Sequence, residues 1–334
     1  AGIPCKVQTF RRHGALLCQC GQGVAVPGKG GGAVIRAEQL HGQGQVGIPG
    51  GQGGAAAQGY TQQEVKQLAD KLAKGTHTLR LQKCTEGEYG CTTVKELIVD
   101  KNATLTAVKP KARFIEVIGD SYTCGFGTES NNRTDPFKLE TENCNQAYGC
   151  LVANYFDADY ALVAHSGHGI IRHYGDSVRV SVNNMPDRWM RIFDDHGMEP
   201  YDFKAYTPDL VMINLGTNDF SPTAIPTSEQ FVGAYVKLIK NIKAHYGEDI
   251  PVLCITAHSA STYLKAAMAE LAKETLKMKK VYMANPMDRV VNTETELGAC
   301  WHPSFKGQSK IAMSVIPQVS TIMGWSVEGK NFDF

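Results

Sequence analysis

From residue 113 onward, short apolar runs alternate with longer segments of helical period, and that order leaves few folds open. We read strands at 113–119, 160–165, 209–215, 251–257 and 281–285. Helices near 143–156, 186–195, 228–246 and 262–279 separate them, and another near 305–322 follows. Strands that are apolar along their length are buried on both faces, and helical crossovers between them imply parallel pairing. The expected architecture is α/β, a doubly wound five-stranded parallel sheet of flavodoxin-like order. Right-handed crossovers then bring every strand's carboxyl end to one rim, where such sheets hold their ligands.

Three of those strand ends carry chemistry. The first closes on Gly119-Asp120-Ser121, the second on His165-Ser166-Gly167-His168-Gly169, and the third on Asn214-Leu215-Gly216-Thr217-Asn218-Asp219. His302-Pro303 follows Ser121 after 181 residues, just before the last helix. A serine hydroxyl is a weak nucleophile until a base within hydrogen-bond reach takes its proton, and an imidazole can do this and return the proton to the leaving group. Glycine turns free backbone N–H groups, and a side-chain amide such as that of Asn218 adds a donor, which is what a developing oxyanion requires. Each piece has a plainer reading: Ser121 as a helix cap, His302 as a loop histidine, Asn218 as a turn residue. It is their joint placement on one rim that favours a nucleophilic site.

Composition removes several classes of function. A net charge of +1 over 334 residues gives no electrostatic case for nucleic acid, and no stretch of 18 apolar residues suggests a membrane span. The ten cysteines fall at irregular spacings without a zinc-ligand pattern, so no metal is expected. Cys124 lies three residues after Ser121 and Cys300 two before His302; a disulfide between them is one expectation, buried free thiols the other. Two sequons, at Asn102 and Asn132, are compatible with secretion.

Residues 1–60 form a first unit, holding nearly half of the chain's 34 glycines and Glu38 as the only acid. Neither strand nor helix periodicity survives there, and we expect no regular antiparallel strands of the kind a complete sandwich requires, a disordered leader being one reading of the segment. The segment 60–74 reads as a short amphipathic stretch through Val65, Leu68 and Leu72. Alternation at 77–83, 94–99 and 105–108 then suggests hairpins of an antiparallel sheet ending at Lys109-Pro110-Lys111.

The strings Ile118 to Gly127, Glu142-Asn143-Cys144, Ser166 to Gly169, Asn214 to Phe220 and Trp301-His302-Pro303 resemble the SGNH or GDSL hydrolase superfamily, and within it carbohydrate esterase family 2. The resemblance covers roughly residues 70 to 334. It implies a secreted serine esterase without cofactor, removing O-acetyl groups from plant cell-wall polysaccharides such as xylan or glucomannan, with a jelly-roll-like β-sandwich at 61–110 and an SGNH-type catalytic domain at 111–334. Ser121 is by resemblance the nucleophile and His302 the base; Ser121 N–H, Gly167 N–H and the Asn218 amide form the oxyanion hole. Trp301 and Tyr122 are expected at the substrate mouth. Other readings are an acyl-ester, lipid or thioester hydrolase of the superfamily, or a carbohydrate-binding pseudoenzyme. The chain departs from the family at Ala299-Cys300, where relatives place a carboxylate beside the histidine. A backbone carbonyl there would leave a Ser–His dyad. It departs again at residues 1–60: either the sandwich is incomplete or the segment is an out-of-frame translation of the true one.

Overall fold

The computed structural model describes residues 24–25, 33–40, 61–69, 78–79, 83–98, 109–192, 194 and 199–327. Strands β1 (Arg113–Gly119), β2 (Ala158–Ala164), β3 (Leu210–Asn214), β4 (Val252–Cys254) and β5 (Val281–Met283) form one sheet in the order β5-β4-β3-β1-β2. Every pairing is parallel. The strand order reverses between β1 and β3, and that switch point is where a doubly wound sheet opens a crevice.

Alternation along the strands divides the core between two faces. Ile115, Val117 and Met212 pack with Tyr148, Val152, Ile311 and Val315 from helices α2 (Tyr148–Tyr155) and α6 (Phe305–Met323). Ile118, Val211 and Ile213 pack on the other face with Trp189, Phe231, Leu238 and Leu264. These come from α3 (Met185–Trp189), α4 (Ser228–Tyr246) and α5 (Thr262–Thr275). Full burial of each such side chain contributes about 1.5–3 kcal/mol, so both faces are strongly anchored. Helix α4 starts at a capping box, with Thr227 accepting from Gln230 N–H and Gln230 accepting from Thr227 N–H. It stops at Gly247, whose φ of 99° only glycine adopts without strain.

Several elements are shorter than expected. Pairing in β4 ends at Cys254, although Ile255 and Ala257 stay buried beyond it, because burial does not require a strand. The helix expected near 143–156 is a 3₁₀ turn at Cys144–Gln146 followed by α2. Helix α3 spans five residues; beyond it the chain doubles back and Arg191 pairs with Pro200.

The amino-terminal reading needs two corrections. Residues Ala33–Leu40 form an eight-residue strand, antiparallel to both Thr61–Ala69 and Cys91–Ile98. That octet contains no glycine, and the average composition of residues 1–60 concealed it. The amphipathic stretch begun at 60 is likewise a strand from Thr61, since long-range pairing overrides a weak local period. Val24–Ala25 pairs with Thr78–Leu79. The strand expected at 105–108 and the remainder of residues 1–60 lie outside the described residues.

Candidate active site

Ser121 opens helix α1 (Ser121–Cys124) directly after β1. Asp120 caps it by accepting the Tyr122 N–H at 3.1 Å. The turn is tight: a Cβ on Gly119 would lie 2.0 Å from Thr123 Oγ1, so glycine is required for the close approach. Ser121 Oγ is 2.9 Å from His302 Nε2. On the other side of the ring, His302 Nδ1 lies 2.9 Å from the Cys300 carbonyl oxygen. A carbonyl can only accept, so Nδ1 carries the proton and Nε2 is left to accept from the serine hydroxyl.

The backbone that aims this carbonyl is unusual. Cys300 and Trp301 both sit in the left-handed region, with φ of 50° and 63°, and neither is glycine. Each such residue costs about 1–2 kcal/mol, which surrounding bonds must offset. Cys300 N–H donates to Asp135 O at 3.0 Å, Trp301 N–H to Arg133 O at 3.1 Å, and Gly298 N–H to His302 O at 2.7 Å. These bonds fix the turn and turn the carbonyl toward the imidazole.

Phe126 and Tyr122 wall the imidazole, with ring centroids 4.4 and 5.5 Å from it. Burial pushes the His302 pKa down to about 4; hydrogen bonds to the Cys300 and Ala299 carbonyls oppose this, and His258 adds to it. A base must be neutral to accept a proton, so the acid limb of kcat/KM is expected well below the ordinary histidine range, near pH 4. A limb near 6 would contradict the depression of His302, since an unshifted histidine titrates there, as does Asp120, whose carboxyl burial pushes up to about 6 against bonds from Thr217 and Tyr122.

Gly167 ends the turn after β2 with φ of 77°, and Tyr174 N–H donates to its carbonyl at 2.8 Å. Asn218 Nδ2 donates to His168 O at 2.9 Å and, more loosely, to Asp120 Oδ2 at 3.3 Å. Asp120 also accepts from Thr217 Oγ1 at 2.6 Å, which ties the β1 and β3 turns together. Sequence reasoning overlooked the supports behind these turns. Asp219 accepts the N–H groups of Ile170, Ile171 and Arg172, and fully buried Arg172 donates to the carbonyls of Asp219, Ser221 and Pro222. Asp219 stands in the quoted Asn214–Phe220 string, but nothing local marks Arg172.

Trp301 is exposed, with the Arg133 guanidinium 4.5 Å from its ring centroid. Tyr122, by contrast, is only 8% exposed; its ring stacks on His258 and its hydroxyl pairs with Ser259 Oγ at 2.6 Å. The Cys124–Cys300 disulfide does not form: both thiols are free. Cys124 is buried with its thiol donating to Glu86, while Cys300 is exposed with its thiol toward the Asp135 carbonyl, because its left-handed backbone turns the side chain outward.

Among known proteins, residues 117–308 match the GDSL-like lipase/acylhydrolase family. The chain is 30% identical over 264 residues to a cellulase/esterase, CelE, of Acetivibrio thermocellus, aligning 77% of this chain with 31% of that protein. It thus spans about a third of that relative's length. It is also 30% identical to an acetylxylan esterase/glucomannan deacetylase of Cellvibrio japonicus, over 76% of this chain and 72% of that one. A solved family two carbohydrate esterase from Clostridium thermocellum, in complex with cellohexaose, shares the fold at a TM-score of 0.77 and 24% identity, covering 96% of this chain and 100% of that one. With residues 117–308 matching its model and the Cellvibrio relative at 30% identity, the chain belongs to the GDSL-like lipase/acylhydrolase family.

Proposed function

We propose that this protein is a serine esterase that removes O-acetyl groups from plant cell-wall polysaccharides, xylan and glucomannan among them, using a Ser121–His302 dyad. The observation that carries the reading is the 2.9 Å approach of Ser121 Oγ to His302 Nε2 at the sheet's switch point. The relatives' acetylxylan esterase and glucomannan deacetylase activities supply the substrate class. No helix among the described residues is long and apolar enough to cross a membrane, and polymeric substrates of this kind are met outside the cell.

In the reaction, His302 Nε2 takes the Ser121 proton as Oγ attacks the acetyl carbonyl carbon. The carbonyl oxygen becomes an oxyanion held by Ser121 N–H, Gly167 N–H and Asn218 Nδ2. Of the two Asn218 donor contacts, the 3.3 Å bond to Asp120 is the weaker and is the one an oxyanion displaces. The intermediate collapses to acetyl-Ser121 as the imidazolium gives its proton to the departing sugar oxygen; water, deprotonated by the same imidazole, then attacks the acetyl carbon, and Ser121 Oγ leaves with that proton as acetate is released. Cys300 O keeps the tautomer fixed but, being uncharged, stabilises the imidazolium less than a carboxylate would.

The test is acyl selectivity. kcat/KM is expected to be high for p-nitrophenyl acetate and to fall steeply by butyrate, and comparable values for acetate and octanoate would make this a lipid-type esterase instead. Glycan binding without any turnover would make it a pseudoenzyme.

Trp301, exposed beside the base, is the proposed sugar platform, since an aromatic face stacks on the apolar face of a pyranose. Tyr122 serves the substrate mouth from beneath, as the wall of His302. Trp301→Ala is expected to raise KM for acetylated polysaccharide while leaving p-nitrophenyl acetate kinetics nearly unchanged. Equal losses on both substrates with a lowered Tm would assign it to packing.

A further inference from the structure

The segment Lys83–Gly90 precedes the parallel sheet and lies outside the residues matched to the family, yet it reaches the back of the proposed oxyanion hole. Glu86 is 3% exposed. Its Oε2 accepts the Ser166 N–H at 2.6 Å and the Cys124 thiol at 3.4 Å. Ser166 immediately precedes Gly167, and Cys124 is the last residue of the helix that Ser121 opens. One carboxyl oxygen therefore joins the two turns that present the Ser121 and Gly167 amides.

The segment is itself held. Cys144 N–H donates to Cys84 O at 3.0 Å, Glu86 N–H donates to Glu142 Oε1, and Lys83 Nζ donates to Glu86 O at 2.8 Å. Glu142 is as buried as Glu86, and its carboxyl is pushed up to about 10, first by burial and then by the charge of Glu86. The raised carboxyl favours the neutral acid form, which lessens the repulsion between the two adjacent carboxyls. Each leaves one oxygen, Glu86 Oε1 and Glu142 Oε2, buried without a partner.

We propose that Glu86 is a positioning residue of the oxyanion hole: by accepting the Ser166 N–H it sets the turn that aims Gly167 N–H at the reacting oxygen. The proposal rests on the reading of Ser121 as nucleophile and Gly167 as donor. A donor displaced by about 1 Å costs on the order of 100-fold in rate, so a single bond behind the donor is a large lever.

The experiment measures p-nitrophenyl acetate kinetics and Tm for the wild type, Ser121→Ala, Glu86→Ala and Glu86→Gln. Glu86→Ala is expected to lower kcat about 10–100-fold with KM within about threefold. Glu86→Gln keeps an acceptor oxygen for Ser166 N–H and is expected to recover most of kcat. A folded Glu86→Ala with wild-type kcat, a loss confined to KM, or a Gln variant as poor as Ala would overturn the proposal. If Glu86→Ala does not fold, Glu86→Asp, which withdraws the carboxylate by one methylene, carries the test: reduced kcat at retained Tm supports the role, and wild-type kcat overturns it. An inert wild type, or an active Ser121→Ala, would sink the esterase reading itself.

Discussion

Replacing His302 with alanine is expected to lower kcat for p-nitrophenyl acetate by about 10⁴–10⁶-fold, while Cys300→Ala stays within roughly threefold of wild type. The asymmetry follows from which atoms touch the imidazole. His302 Nε2 is the acceptor placed against Ser121 Oγ, and without it the hydroxyl keeps its proton at neutral pH. Nδ1 is held by the main-chain oxygen of Cys300, which an alanine retains, and the cysteine side chain is turned outward to the Asp135 carbonyl. The left-handed turn is fixed by N–H bonds to Asp135 and Arg133 that are also independent of the thiol. Steady-state kinetics with Tm as the folding control would check both variants. A Cys300→Ala loss as large as that of His302→Ala, at unchanged Tm, would mean the side chain at 300 takes part.

Asn218→Ala is expected to reduce kcat about 10²–10³-fold, equivalent to about 2.7–4 kcal/mol, with little change in KM. In the proposed mechanism the amide contacts a charge that exists only in the transition state, so its loss leaves ground-state binding nearly intact. Its removal also frees the His168 carbonyl and one bond to Asp120, but Asp120 keeps Thr217 and Tyr122 and the fold is expected to hold. An effect confined to KM would move Asn218 from the oxyanion to substrate binding.

The catalytic-domain architecture was legible because its signals are local. The expected helix at 228–246 matches α4 because its apolar period is closed by the capping box at Thr227 and by Gly247, and β1 to β3 follow from apolar runs that pairing then uses almost entirely. Strand β4 is shorter than the apolar run because Ile255 makes the last bond to β3, through its N–H to Ile213 O, and Ala257 beyond it is apolar for the core rather than for the ladder. Ala33–Leu40 was missed because its glycine-free octet is flanked by glycine-rich sequence, and its partners at 61–69 and 91–98 are distant in the chain. Ser121, Gly167, Asn218 and His302 stood out because each sits in a short motif at a strand end or before a helix. The left-handed pair Cys300-Trp301 could not be read, as neither residue type advertises that conformation. Glu86, Arg172 and Glu142 reach these turns through contacts with residues 38 to 80 positions away, which no local pattern encodes.

The most direct measurement is acetate released from acetylated xylan and acetylated glucomannan by the wild type and Ser121→Ala, assayed side by side at equal concentrations of folded protein. The account predicts release from both polysaccharides by the wild type and a fall of at least about 10⁴-fold on losing the serine hydroxyl. Release that survives in Ser121→Ala, or a wild type that frees no acetate from either polymer, would contradict it.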